Sequence, residues 1–122
     1  MGLLSGTKTG AVMTEEHKIM NEIRIALSEI GCIVFRINVG KGRTFDGRYF
    51  DTGVPVGFSD LFGVMPDGKA FFIEVKTPKG KPSPAQINFL QAMKNNGAVA
   101  GICRSADDAI NLIQGGIYHE RT

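Results

Sequence analysis

Gly57-Phe58-Ser59-Asp60-Leu61-Phe62-Gly63-Val64-Met65-Pro66-Asp67-Gly68-Lys69-Ala70-Phe71-Phe72-Ile73-Glu74-Val75-Lys76 is the stretch from which the rest of the chain can be read. Two apolar runs flank Met65-Pro66-Asp67-Gly68, whose proline and glycine supply the backbone angles of a tight hairpin turn. One strand is therefore expected from Asp60 to Met65 and a second from Ala70 to Thr77. Side chains alternate along a strand, so Glu74 and Lys76 share one face while Ile73, Val75 and Thr77 share the other. Apart from that charged pair the second strand is apolar on both faces, the pattern of a central strand covered on both sides. Opposite charges on such a strand are costly to bury and persist where they are paired or where they hold a metal. Asp60, Glu74 and Lys76 together suggest a divalent-metal site for cutting phosphodiesters.

Upstream, Thr14 can cap a helix whose first turn carries Glu15 and Glu16, where negative charge is favoured. Ile19, Ile23, Leu27 and Ile30 recur at helical spacing, and Gly31 ends the pattern. Glu16 projects onto the same face as Ile19, Ile23 and Ile30, whereas Glu22 falls on its flank. His17 is expected on the opposite, solvent-facing side. Cys32 to Asn38 reads as a strand rich in β-branched and aromatic residues. Val39 to Gly53 then mixes Lys41, Arg43 and Arg48 with Phe45, Tyr49, Phe50 and four glycines. Glycines admit a phosphate close to the backbone and cations contact it; a solvated hairpin or long loop is the bland alternative. The length of this segment in so small a domain favours a functional role.

Downstream, Pro78-Lys79-Gly80-Lys81-Pro82 breaks the central strand and sets two further lysines near the charged pair. Ser83-Pro84-Ala85-Gln86 has the form of a capping box with proline at the first helical position. That helix is expected to end near Asn95, before Asn96-Gly97. Gln86 lies on its apolar face with Phe89, Leu90 and Met93, so capping and an active-site role both account for it. Ala98 to Cys103 reads as a short buried strand. Ser105 caps a last helix, which Gly115-Gly116 is expected to stop near Gln114. A late strand–helix–strand connection implies parallel pairing and helices on both faces of a mixed sheet, an α/β fold. The domain is expected over residues 14–116, with tails at 1–13 and 117–122.

At 122 residues the chain is one domain with room for a real core. Its net charge of +2 is too small to signal nucleic-acid binding, though it leaves room for a local basic patch. Cys32 and Cys103 fall in apolar runs and read as small buried hydrophobes in a reducing compartment. No apolar run approaches a membrane span, and the first ten residues lack the pattern of a secretory signal, so a cytoplasmic protein is expected. There is no P-loop, dinucleotide fingerprint or nucleophile elbow, and no organic cofactor is expected. A hard cation such as Mg²⁺ takes oxygen ligands. Asp60, Glu74 and the main-chain carbonyl of Val75 are the candidate ligands, with Glu16 direct or through water. Lys76 is placed to stabilise charge on the phosphate, and Gln86 to hold a water or a substrate oxygen.

Glu16 on an opening helix, Asn38-Val39-Gly40, Gly57-Phe58-Ser59-Asp60, Glu74-Val75-Lys76, Ser83-x-x-Gln86 and the late Arg104-Ser105-Ala106-Asp107-Asp108 resemble the PD-(D/E)xK nuclease superfamily. The match is to its VRR-NUC branch, in particular small stand-alone phage forms, and extends from about Glu15 to Ile113. The resemblance implies a restriction-endonuclease-like core and Mg²⁺- or Mn²⁺-dependent cleavage of branched DNA such as Holliday junctions, by a homodimer, in the phage or bacterial host cytoplasm. By motif, Asp60 and Glu74 become metal ligands, Lys76 the catalytic lysine, Gln86 a supporting residue, and Glu16 or Glu22 the helix carboxylate. Lys41, Arg43, Arg48, Lys79 and Lys81 are the candidate DNA contacts. Ser59 stands where the family usually has proline, which implies a looser start to the strand. The competing readings are a DNA-binding accessory module with a relic site and a purely structural domain with a Glu74–Lys76 salt bridge.

Overall fold

The expected central strand, β5 (Ala70–Val75), is buried along almost its whole length in the computed structural model, which describes residues 13–121. It follows β4 (Leu61–Val64) through the turn at Met65–Gly68, where the Gly68 amide donates to the Met65 carbonyl at 2.8 Å. Gly68 takes φ +91°, the left-handed conformation that only glycine adopts freely. β1 (Ile33–Arg36) pairs antiparallel with β4, and β4 antiparallel with β5. β6 (Val99–Cys103) joins the other side of β5 in parallel, giving the order β1-β4-β5-β6. The mixed sheet expected from the sequence is present.

Helices cover both faces because the residues of β5 alternate. Phe71, Ile73 and Val75 face a core that also holds Ile19, Ile23 and Leu27 of α1 (Glu15–Glu29) and Ala109 and Ile113 of α3 (Ala106–Arg121). Phe72 points the other way, into a smaller cluster with Leu90 of α2 (Pro84–Asn95) and Ala100, bordered by Phe58, Phe62 and Phe89. The sheet cannot move from under its helices without exposing one of these two clusters. At about 25 cal/mol per Å² of apolar surface, that exposure is the main resistance to unfolding. Gly63 makes the β1–β4 contact possible: a Cβ there would lie 2.1 Å from the Ile33 carbonyl oxygen and 2.3 Å from the Phe71 ring.

The helix caps follow the sequence closely. Thr14 accepts from the His17 amide, and Ser83 forms the reciprocal capping box with Gln86. Of the readings open for Val39 to Gly53 the structure has the hairpin, with β2 (Lys41–Arg43) and β3 (Tyr49–Asp51) paired in a small sheet of their own. One expectation is corrected. α3 does not stop at Gly115-Gly116 but runs on to Arg121, so the backbone of 117–121 is helix rather than tail. The reason is spacing. A Cβ on Gly116 would stand 2.5 Å from Val99 Cγ2, so this glycine lets α3 approach β6 instead of ending the helix. The expected tail at 1–13 lies, apart from Met13, outside the described residues.

The two glycines should respond to alanine in opposite directions. A methyl group added at Gly115 would meet nothing within 4 Å, so Gly115→Ala is expected to raise stability by about 0.5–1 kcal/mol through helix propensity. Gly116→Ala forces Val99 aside and is expected to cost about 1–3 kcal/mol. Urea midpoints of the two variants check this; equal shifts of the same sign would return the pair to the role of a helix stop.

Candidate active site

The site grows out of the β4–β5 register. Leu61 pairs with Ile73, so one step further along the ladder Asp60 stands across from Glu74. Residues directly opposite share a face with Cβ atoms about 4.5–5.5 Å apart, and like charges there repel. The Val75 amide donates to Asp60 Oδ2 at 2.9 Å, tying the Asp60 side chain to the end of β5. The N–H and C=O of one antiparallel strand residue point to the same neighbour, so the Val75 carbonyl is aimed to the Asp60 side as well. The Asp60 carbonyl in turn accepts from the Ile37 amide at 2.8 Å, which brings the end of β1 alongside.

Glu74 is 2% exposed. Its Oε2 accepts from Gln86 Nε2 at 2.6 Å and lies 3.6 Å from Lys76 Nζ. Its Oε1 is buried with no hydrogen-bond partner among the described residues. Burial above all, and then the charge of Asp60, push the Glu74 carboxyl up to about 7 from its ordinary 4.5, and Lys76 offsets this only in part. A buried acceptor without a donor costs on the order of 1–3 kcal/mol, and nothing in the packing of the sheet calls for it.

Gln86 closes the helix cap and also bonds the Glu74 carboxylate. Its Oε1 accepts from the Ser83 amide at 2.8 Å, which closes the capping box. A backbone N–H can only donate, so this bond fixes the amide orientation and turns Nε2 toward Glu74. The start of α2 thereby locks one carboxylate oxygen of the site. Ser59 is fully buried, and its hydroxyl donates to the Leu61 carbonyl at 2.8 Å, so the approach to β4 is tied by a hydrogen bond in place of a proline ring.

Asp60 and Gln86 line a cleft of about 380 Å³ together with Glu16, while Glu22 is exposed and lies outside it. Glu16 shares the cleft without completing a cluster: no group of three acidic, histidine or cysteine side chains among the described residues is placed to hold a metal. His17 is exposed, as expected, and also lines the same cleft, with Nε2 3.4 Å from Arg36 Nη2. Arg36 and Asn38 also line it, and the sequence reading left both unassigned. The signal was present: like Lys76, they are polar residues at or just beyond the end of an apolar strand.

The candidate DNA contacts lie on two loops. Arg43 Nη1 donates to the Gly47 carbonyl at 3.1 Å, and Arg48 pairs with Asp46 at 2.9 Å at the exposed end of the hairpin. Such an exposed pair contributes little and leaves the cation available. The Lys41 side chain lies outside the described residues. Lys79 and Lys81 are exposed on the turn that follows β5. Cys32 and Cys103 are buried and unpaired, and burial pushes the Cys103 thiol up to about 12, so it is inert at neutral pH. No described helix is long and apolar enough to cross a membrane.

A hard cation is compatible with this donor set. Two adjacent carboxylates and a main-chain carbonyl supply oxygen, and the partnerless Glu74 Oε1 is an acceptor in want of a positive partner. Between pH 4.5 and 7 the folded chain keeps a proton on Glu74 that the unfolded chain has lost, so stability falls as pH rises through that window. Glu74→Gln, which cannot ionise, is expected to be more stable than the wild type at pH 8 without divalent cations, by about 3 kcal/mol. The two should converge below pH 5. Urea unfolding across pH checks this, and a wild type that gains stability from pH 5 to pH 8 relative to Glu74→Gln would contradict it.

The profile of the VRR-NUC domain matches residues 37–107, more than half of the chain, and includes Asp60, Glu74, Lys76 and Gln86 but not Glu16. A solved structure described as a VRR_NUC domain superposes with a TM-score of 0.61 at 23% identity, covering 84% of this chain and 97% of that one. A second, described as a VRR_NUC domain protein, gives 0.54 at 17% identity, covering 88% and 92%. No curated protein matches. The chain belongs to the VRR-NUC family and is a nuclease-type DNA-processing domain.

Proposed function

We propose that this domain is a metal-dependent endonuclease that hydrolyses phosphodiester bonds in branched DNA such as Holliday junctions. The observation that carries the reading is the pair formed by Asp60 and Glu74, with Glu74 Oε2 3.6 Å from the Lys76 ammonium and Oε1 buried without a hydrogen-bond partner among the described residues. Asp60, Glu74 and the Val75 carbonyl would hold Mg²⁺ or Mn²⁺, and Glu16, which lines the same cleft as Asp60, would act through a bound water. A bound ion of this kind polarises a phosphate oxygen and lowers the pKa of a coordinated water.

The protein's own groups do the rest. Gln86 keeps Glu74 from rotating, since its amide is anchored at the helix cap and bonded to Oε2. Lys76 sits beside the carboxylate pair, where a fixed ammonium stabilises negative charge growing on the phosphate. The DNA backbone would enter the cleft, with Lys41 and the exposed Arg43, Arg48, Lys79 and Lys81 as its proposed phosphate contacts.

A homodimer belongs to the same reading, because a four-way junction is symmetric and two copies present two sites to it. Action in the cytoplasm of a phage-infected or other bacterial cell accords with two buried thiols left unpaired.

Asp60→Ala, Glu74→Ala and Lys76→Ala are each expected to lower cleavage of a synthetic four-way junction in Mg²⁺ by at least about a hundredfold, with circular dichroism unchanged. EDTA should abolish wild-type cleavage. Variants that cut at the wild-type rate would reject the site. Tight junction binding with no cleavage in Mg²⁺ or Mn²⁺ would favour an accessory module carrying a relic site. Light scattering of the DNA complex is expected to give two copies per junction, and one copy would reject the dimer.

A further inference from the structure

Arg104, the residue after β6, reaches across to the turn that follows β5. Its Nη1 donates to the carbonyls of Thr77 at 2.6 Å and Gly80 at 2.6 Å, and more distantly to that of Pro78 at 3.3 Å. The turn is closed from within by the Gly80 amide, which donates to the Thr77 carbonyl at 3.0 Å and to Thr77 Oγ1 at 3.1 Å. Arg104 is itself fixed at the start of α3, where its amide donates to Asp108 Oδ2 at 2.8 Å. The Cys103 carbonyl before it accepts from the Lys76 amide at 3.1 Å.

Three carbonyl oxygens converging on one point repel each other, and a chain without a cation there would splay them toward water. Three lysines lie on or beside this turn, and two of them, Lys79 and Lys81, are exposed. Lys76 precedes the turn, Lys79 lies within it and Lys81 follows it. Gly80 folds back so far that a Cβ there would stand 3.5 Å from Lys76 Cδ. The charge of Arg104 is turned inward to main-chain oxygens, while Lys79 and Lys81 point to solvent.

We infer that Arg104 is a positioning residue: it shapes the turn from Thr77 to Lys81 so that Lys79 and Lys81 meet the DNA phosphates, and it does not itself touch the DNA. The inference rests on the nuclease reading above and assigns the element that presents these phosphate contacts.

The test is a mutant cycle on the full chain, with binding to a synthetic four-way junction measured in EDTA at several salt concentrations. Arg104→Ala is expected to weaken binding about tenfold and to flatten the salt dependence by one to two phosphate contacts. In a Lys79→Ala/Lys81→Ala background the same substitution should cost less than about twofold, since the groups it positions are gone. Gly80 amide exchange, read without DNA, should quicken at least about tenfold in Arg104→Ala. If Arg104→Ala does not fold, Arg104→Lys carries the cycle, because a shorter side chain with a point charge cannot reproduce the guanidinium's reach. Equal losses in both backgrounds, unchanged affinity, or unchanged Gly80 exchange overturns the inference. A wild type that binds no DNA would reject the nuclease reading and this one with it, whereas a binding wild type indifferent to Arg104 rejects this one alone.

Discussion

The burial of the Glu74 carboxylate opposite Asp60 is the constraint to which the rest of this structure answers. A sheet strand covered on both faces is built to exclude water, and a carboxylate placed there raises the free energy of the fold unless its charge is met. The protein meets it incompletely. Gln86 supplies one hydrogen bond, Lys76 a cation at 3.6 Å, and the second oxygen is left alone among the described residues. Burial and the neighbouring aspartate outweigh the lysine, which is why the carboxyl is pushed up to about 7 although it has an ion-pair partner. This incomplete compensation is the feature on which the proposed cation site rests.

The surrounding elements can be understood as holding that arrangement still. The odd residues of β5 anchor it to α1 and α3, and the even ones carry the chemistry toward α2. The same alternation that buries Ile73 and Val75 delivers Glu74 and Lys76 to one face. The β4–β5 register sets the acidic pair, the capping box sets Gln86, and the Ser59 hydroxyl ties the approach to Asp60. Each is a local feature whose energy is about 1 kcal/mol, yet together they leave the pair little freedom to separate or to turn toward solvent. Destabilising the fold in order to keep two acids together is the usual bargain of a functional site.

Much of this was legible in the sequence because it is local. The caps at Thr14 and Ser83, the turn at Met65–Gly68 and the alternation of β5 depend on residues within a few positions of one another. What was misread depends on partners distant in the chain. Gly115-Gly116 has the composition of a helix stop, and only the position of Val99 reveals that Gly116 is a spacer. His17 lies opposite the apolar stripe on a helical projection. At the first turn of α1, however, the helix end overhangs the cleft, so both Glu16 and His17 reach it. Arg36 became visible as a cleft residue only when β1 was laid beside β4. The sequence left the segment of β2 and β3 open between a hairpin and a long loop, because glycine-rich, charged strands lack the apolar alternation by which strands are recognised. The Asp60–Glu74 pair was legible as two residues of the right kind; their apposition follows from the register.

The central claim is that Asp60, Glu74 and the Val75 carbonyl form one hard-cation site. Paramagnetic broadening of backbone amide resonances on titration with Mn²⁺ tests it without relying on activity. The account predicts broadening centred on Asp60, Glu74, Val75 and Lys76, falling away with distance from the cleft and lost in Asp60→Asn. Broadening centred elsewhere, or none at millimolar Mn²⁺, would contradict it.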